Sequence, residues 1–177
     1  KGIYVTNTPG ILTETTADFT FALLLAVSRR LVESDKYIRM GEWKHAWGPR
    51  MFLGSDVHGK TLGIIGLGRI GKALAKRAKG FDMKIIYHDI IRDESFEERF
   101  GVSFRSLKEL LEEADFVSVN VPLTKETYHL IGEKEISAMK KTAFIINTSR
   151  GAVIDEKQLY NALKNGRIAG AALDVFE

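Results

Sequence analysis

At 177 residues, with 45% hydrophobic and 28% charged side chains, the chain is long enough for one sizeable domain with its own core. Its 26 basic and 23 acidic residues leave a net charge of +3, spread along the sequence, which argues against a nucleic-acid groove. The absence of cysteine excludes a disulfide framework and a thiolate metal site, and the longest apolar stretch, residues 19–27, is too short to cross a bilayer.

No charged-then-apolar leader opens the sequence, so the expected compartment is the cytoplasm. Ile3, Tyr4 and Val5 followed by Asn7-Thr8-Pro9-Gly10 predict a strand and a turn that belong to something upstream. Thr13 is the expected N-cap of a long helix reaching Met40, apolar on almost every side from Ala17 to Val27 and charged from Arg29 to Arg39. A helix apolar all round is buried in a core or against another subunit. Residues 41–60 hold Trp43, Trp47, Met51 and Phe52 among glycines without a clear period. They read either as an arm that packs on a neighbour or as a loop folded over its own domain.

The stretch from Thr61 to Asp89 organises the rest. A short apolar run (Leu62 to Ile65) leads into Gly66-Leu67-Gly68-Arg69-Ile70-Gly71, then an amphipathic helical pattern, then a second run (Ile85 to Tyr87) that stops on Asp89. Strand, glycine turn, helix, strand and acid in that order make the dinucleotide-binding fingerprint in its full context. Gly66 permits the tight turn, Gly68 leaves room for a pyrophosphate, and Gly71 lets the helix approach the sheet. The helix N-terminus offers N–H groups and partial positive charge to the phosphates. Asp89 stands where a carboxylate accepts from the adenosine ribose hydroxyls, which favours NAD because the 2′-phosphate of NADP is repelled. Arg92, three residues on, partly offsets that, so NADP stays possible.

Beyond this unit the alternation continues. A strand is predicted over Val102–Phe104, and Ser106 with Glu109 forms a capping box for a helix over Leu107–Glu113. Strand residues Phe116 to Val121 are stopped by Pro122, and the polar loop Leu123 to Thr127 follows. A short helix over Glu133–Met139 and a strand over Ala143–Ile146 lead into Asn147-Thr148-Ser149-Arg150-Gly151. Asp155 caps a helix that ends at Asn165-Gly166, and a last strand, Ile168 to Leu173, runs into Asp174-Val175-Phe176-Glu177. The expected fold is therefore α/β: a Rossmann-type, doubly wound parallel sheet in three αβα layers.

Ligands of such sheets bind outside the carboxyl ends of the strands. Arg150 follows a buried strand and precedes a glycine, so a turn can aim its planar, permanently charged fork at a substrate carboxylate or carbonyl oxygen. Asp174 also ends a strand, where it binds a ligand amide or merely caps a turn. None of His45, His58, His88 and His129 has a convincing position opposite Arg150, and no His and carboxylate cluster has metal-ligand spacing. Ser149 lacks a nearby base, so a nucleophilic serine is not expected.

These motifs together resemble the D-isomer-specific 2-hydroxyacid dehydrogenases. The resemblance rests on Asn7 to Gly10, Thr15-Thr16-Ala17-Asp18, Gly66 to Gly71, Val121-Pro122-Leu123-Thr124, Asn147 to Gly151 and Ala172 to Glu177, and it covers essentially the whole chain. Within the family the glyoxylate/hydroxypyruvate reductases are the most similar. The resemblance implies that Arg150 is the catalytic, substrate-binding arginine. Cofactor contacts are then expected from Thr16, Gly66, Leu67, Gly68, Arg69, Ile70, Gly71, Asp89, Ile90, Ile91, Val121, Pro122, Thr127, Thr148, Ser149, Arg150 and Asp174. Residues 1–13 would be the tail of a substrate domain and its hinge, and residues 14–177 the NAD(P)-binding domain, with a homodimer contact over 14–60. A small 2-keto acid is the implied substrate. The family's acid, a histidine supported by a glutamate two residues beyond the position of Glu177, is expected past this chain, which would then bind NAD without turning over. A corepressor-like NAD sensor of the same fold is the alternative.

Overall fold

A computed structural model describes residues 2–4, 6, 10–44, 46 and 48–177. Among them six strands, β1 (Thr61–Ile65), β2 (Lys84–His88), β3 (Ser103–Phe104), β4 (Phe116–Val119), β5 (Phe144–Asn147) and β6 (Gly170–Leu173), form one all-parallel sheet. Their order is β3-β2-β1-β4-β5-β6, so connections run outward in both directions from β1 and β4. Strands buried on both faces need no polar alternation, and β4 and β5 are accordingly buried at every position.

Helices cover both faces. On one side α1 (Thr13–Ser28), α3 (Arg69–Lys79) and α4 (Glu94–Phe100) enclose Phe21, Leu24, Leu62, Ile64, Leu74 and Phe96. On the other, α5 (Leu107–Glu113), α6 (Glu133–Ala138) and α7 (Glu156–Lys164) enclose Ile65, Leu110, Val117, Ile136, Ile145 and Leu159. The caps follow the local chemistry. The Ser106 hydroxyl and the Glu109 carboxylate close the α5 box, Asp155 accepts from the Gln158 N–H at α7, and Gly166 takes the left-handed conformation (φ +60°) just after it. Helix α4 is absent from the sequence-based expectations. Asp93 caps it, and it buries only Phe96.

The N-terminal region departs further from expectation. The long helix is two: α1 stops at Ser28, Arg30 adopts φ +54°, and α2 (Leu31–Arg39) restarts after it. Thr13 is not the cap. Leu12 holds that position with no side-chain bond to the helix, and the Thr13 N–H donates to the Gly10 carbonyl. Nor is α1 buried all round. Ala17, Thr20, Phe21, Leu24 and Ser28 form a buried stripe, whereas Phe19 is exposed. Ile3 and Tyr4 form no strand and stand in solvent; Val5 and Asn7-Thr8-Pro9 lie outside the described residues, as do His45 and Trp47. The later arm partly folds back on its own domain. Phe52 meets Tyr37 of α2 edge-on at 5.0 Å, and the Ser55 N–H donates to the Ser28 carbonyl at 2.8 Å. No helix among the described residues is long and apolar enough to cross a membrane.

At the amino ends of the strands Asp115 ties three of them together. One carboxylate oxygen accepts from the Thr61 N–H (2.9 Å) and the other from the Lys140 ammonium (2.8 Å). Partial burial pushes its pKa up, but these two donors more than offset that and hold it below the ordinary carboxylate value. Asp115→Asn should therefore cost about 1 kcal/mol in a denaturant melt at neutral pH. A depressed folded-state pKa stabilises above the unfolded value, about 3.9, and is lost as pH falls through the folded one. The gap between wild type and variant should thus close below about pH 4; a gap that persists there contradicts an electrostatic origin.

Candidate functional site

The crossover between β1 and β4 opens the crevice where a doubly wound sheet binds its ligand. Three glycines shape it in different ways. Gly66 has φ +95°, and a Cβ there would lie 2.9 Å from Val121 Cγ1 and 3.0 Å from the Asn120 carbonyl oxygen. A Cβ on Gly71 would overlap the Gly66 carbonyl oxygen and crowd Ile64. Gly68 faces nothing within 4 Å. The first two are required by the protein's own packing. The third leaves open space at the start of α3, where unpaired N–H groups collect.

Asp89 is fastened to this turn. Its Oδ2 accepts from the Leu67 N–H at 2.7 Å, so the acid at the end of β2 and the glycine loop form one unit, and Oδ1 remains at long range (3.4 Å) from the Ile91 N–H. Ile90 and Ile91, 96% and 74% exposed, present bare apolar surface beside it, a suitable seat for a flat aromatic base. A cavity of about 520 Å³ opens between Leu67, Lys72, Asp89 and Ile91. A second, of about 400 Å³, lies on the α1 side of the turn between Leu12, Thr13, Gly68, Arg69, Ile70 and Asn120. Among the described residues, Oδ1 of Asn120 is the buried side-chain oxygen left without a donor. The two cavities flank the glycine turn, an arrangement that fits a dinucleotide laid across the end of β1.

The loop after β4 bounds the cleft through Val121, which lies against Gly66. The Thr127 hydroxyl is committed to that loop: it donates to the Pro122 carbonyl (2.6 Å) and accepts from the Thr124 N–H (2.8 Å). The loop after β5 is built by Asn147, which is 1% exposed. Its Oδ1 accepts from the Ser149 N–H and hydroxyl, and its Nδ2 donates to the Arg150 carbonyl at 3.0 Å. This clip leaves Thr148 and Ser149 half-buried and Arg150 exposed, its guanidinium resting on the Ser149 carbonyl at 2.7 Å. Gly151 is close-packed; a Cβ there would overlap the Phe176 backbone. Asp174 is exposed just past β6, its N–H donating to the Asn147 carbonyl.

Thr16 reaches this end of the sheet through Thr20. The buried Thr20 hydroxyl lies 2.7 Å from both the Thr16 carbonyl and the Thr148 hydroxyl, joining α1 to the loop after β5. Neither Thr20 nor Asn147 stands out in the sequence as a site-building residue. The signals are present all the same: a hydroxyl interrupting an apolar helix, and an amide closing a buried strand.

The three histidines among the described residues are engaged elsewhere. His88 Nδ1 donates to the Arg105 carbonyl (3.0 Å), and His58 pairs with Asp82 (3.0 Å). His129 is tied by its N–H to Ala152 and by Nε2 to Glu177 at 2.9 Å. That contact, with the Tyr128 hydroxyl, holds the Glu177 carboxyl below its ordinary pKa. Among the described residues no group of three or more metal-ligating side chains is assembled.

Residues 21–177 match the family model described as D-isomer specific 2-hydroxyacid dehydrogenase, NAD binding domain. The chain belongs to the D-isomer-specific 2-hydroxyacid dehydrogenase family. It is 65% identical over 177 residues to a protein named glyoxylate reductase from Korarchaeum cryptofilum, covering 100% of this chain and 53% of that one. Among solved structures it is similar to the TT0316 protein of Thermus thermophilus (51% identity, TM-score 0.92, 99% of this chain and 54% of that one). It is also similar to D-lactate dehydrogenase of Aquifex aeolicus, solved with NAD and lactic acid (39% identity, TM-score 0.89, 99% and 52%). The chain thus spans about half the length of the relatives it matches. The Rossmann-type sheet and the NAD-binding domain expected from the sequence are those of this family.

Proposed function

We propose that this chain is the cofactor-holding half of an enzyme that reduces glyoxylate or hydroxypyruvate to the D-2-hydroxy acid, with NADH preferred. One observation carries the reading: the glycine turn with its fastened Asp89 and the Asn147-clipped loop of Arg150 sit at the carboxyl ends of β1, β2 and β5 in one parallel sheet, with only β4 between β1 and β5. The relatives named glyoxylate reductase favour an enzyme over a corepressor-like sensor.

When bound, NADH supplies a hydride to the 2-keto carbon. In this reading Gly68, Arg69 and Ile70 hold the pyrophosphate at the start of α3, with Gly66, Leu67 and Gly71 shaping the turn. Asp89, Ile90 and Ile91 hold the adenosine side, and Val121 and Pro122 form the opposing wall. Thr16, Thr148, Ser149 and Asp174 surround the nicotinamide end. Arg150 binds the keto-acid carboxylate by its fork and polarises the keto oxygen, stabilising the charge that develops there. The proton comes from the histidine that the family resemblance places beyond Glu177. Residues 14–177 are the NAD-binding domain, and residues 1–13 belong to the substrate side and hinge. A homodimer through residues 14–60 belongs to the same reading. Helix α2 buries none of its residues, and Leu31, Val32, Ile38 and Trp43 stand exposed; a parent protein that sediments as a monomer removes this part.

Fluorescence titration tests the cofactor assignment. NADH should bind at least about tenfold tighter than NADPH, the size of one charge-assisted interaction, and Asp89→Asn should erase most of that difference. Equal or tighter NADPH binding by the wild type sinks the role given to Asp89.

A further inference from the structure

The cavity beside Asp89 carries two cations as well as the acid, and both are spoken for. Arg92 forms a fork-to-fork pair with Glu97, Nε to Oε1 at 2.8 Å and the terminal nitrogen to Oε2 at 2.9 Å, and its guanidinium lies 6.0 Å from the Phe104 ring centroid. Lys72 is paired with Asp93, which also caps α4 through the Phe96 N–H and accepts from the Ser95 hydroxyl. The Lys72 contact comes first among the causes that hold the Asp93 carboxyl down at about 2. Glu97 is itself fixed from behind. The hydroxyl of the fully buried Tyr87 donates to Oε1 at 2.8 Å and accepts from the Asp93 N–H at 2.8 Å. Burial pushes that phenol up to about 12, so it remains a donor across the working pH range. Asp89 is thus the carboxylate at the ribose end that is bonded to backbone and not to a cation.

An arginine shortly after the ribose acid is the group that accommodates a 2′-phosphate in this type of site. We infer that Glu97, anchored by Tyr87, is a specificity-determining positioning residue that withholds Arg92 from the ribose pocket, so that the site selects the nucleotide with a free 2′-hydroxyl. The inference rests on the cofactor reading above and adds to it: the acid repels the 2′-phosphate, and the cation that would offset that repulsion is held out of reach. A bidentate arginine–carboxylate pair resists replacement because both partners are already ordered and both hydrogen bonds are charge-assisted.

The test is a titration of the 177-residue chain with NADH and with NADPH, comparing wild type, Glu97→Gln, Arg92→Ala and the double variant. Glu97→Gln keeps the shape and an acceptor for Tyr87, so the thermal melt should move little. Its NADPH dissociation constant should fall about tenfold, one charge-assisted hydrogen bond, while that for NADH changes less than about twofold. The double variant should return NADPH to the wild-type value. Arg92→Ala alone should leave NADPH binding unchanged, because a withheld arginine contributes nothing to it. Unchanged NADPH affinity in a folded Glu97→Gln, or weaker NADPH binding in Arg92→Ala, overturns the inference. If Glu97→Gln fails to fold, Arg92→Ala decides alone. Wild type that binds neither nucleotide removes the cofactor reading and this inference with it. Wild type that binds NADH while the variants miss their shifts removes the inference only.

Discussion

Gly68→Val should fold like the wild type and lose NADH, whereas Gly71→Val should lose stability. The contrast follows from what surrounds each position. A side chain on Gly68 meets no protein atom within 4 Å, and the backbone there (φ −70°, ψ −163°) suits any residue. The added methyls enter only the space at the start of α3. NADH affinity should drop at least about a hundredfold with a thermal midpoint within a few degrees of wild type, since the pyrophosphate must approach this backbone directly. At Gly71 the same methyls collide with the Gly66 carbonyl and with Ile64, prising α3 off β1 at a cost of about 2–3 kcal/mol. Isothermal titration and a melt on both variants separate the outcomes. Undiminished NADH binding in a folded Gly68→Val places the phosphates elsewhere.

Arg150→Ala in the full-length parent should lower kcat/KM for glyoxylate or hydroxypyruvate at least about a hundredfold and leave NADH affinity within about twofold. The side chain is exposed and its nearest protein contact is a neighbouring carbonyl, so its removal opens no cavity. Its backbone is held by Asn147 and not by its own guanidinium, so the loop survives the truncation. Arg150→Lys keeps the charge without the planar fork and should recover only part of the loss. Steady-state kinetics beside an NADH titration decides the matter. An NADH affinity that falls in step with kcat/KM reassigns Arg150 to the cofactor.

Much of this was legible because its signals are local. A glycine turn between two apolar runs, a Ser–Glu capping box, Asp155 before a helix and Asn-Gly after it each act over four to six residues, and each appears in the structure where the chain implied. Other features depend on partners far away in sequence. Nothing short-range marks the break at Arg30, a non-glycine residue in the left-handed region. Helix α4 has its cap at Asp93 and its stop at Gly101, but one buried residue in seven gives no periodicity to read. Arg92 read as a group free to meet a phosphate. Only the fold, by bringing Glu97 and Tyr87 together, shows it occupied. Thr20 is one hydroxyl within an apolar helical stretch, and its purpose needs Thr148, 128 residues away.

That last pairing bears on how the molecule is made. Helix α1 packs on α3 and also on β5 and β6, so part of its apolar stripe leaves the ribosome long before the strands that cover it exist. At about 5–20 residues per second β5 and β6 follow on the order of ten seconds later, and until then a chaperone or a neighbouring nascent chain competes for the part of the stripe that α3 leaves open. A helix made before the strands it rests on is fully seated only when they arrive.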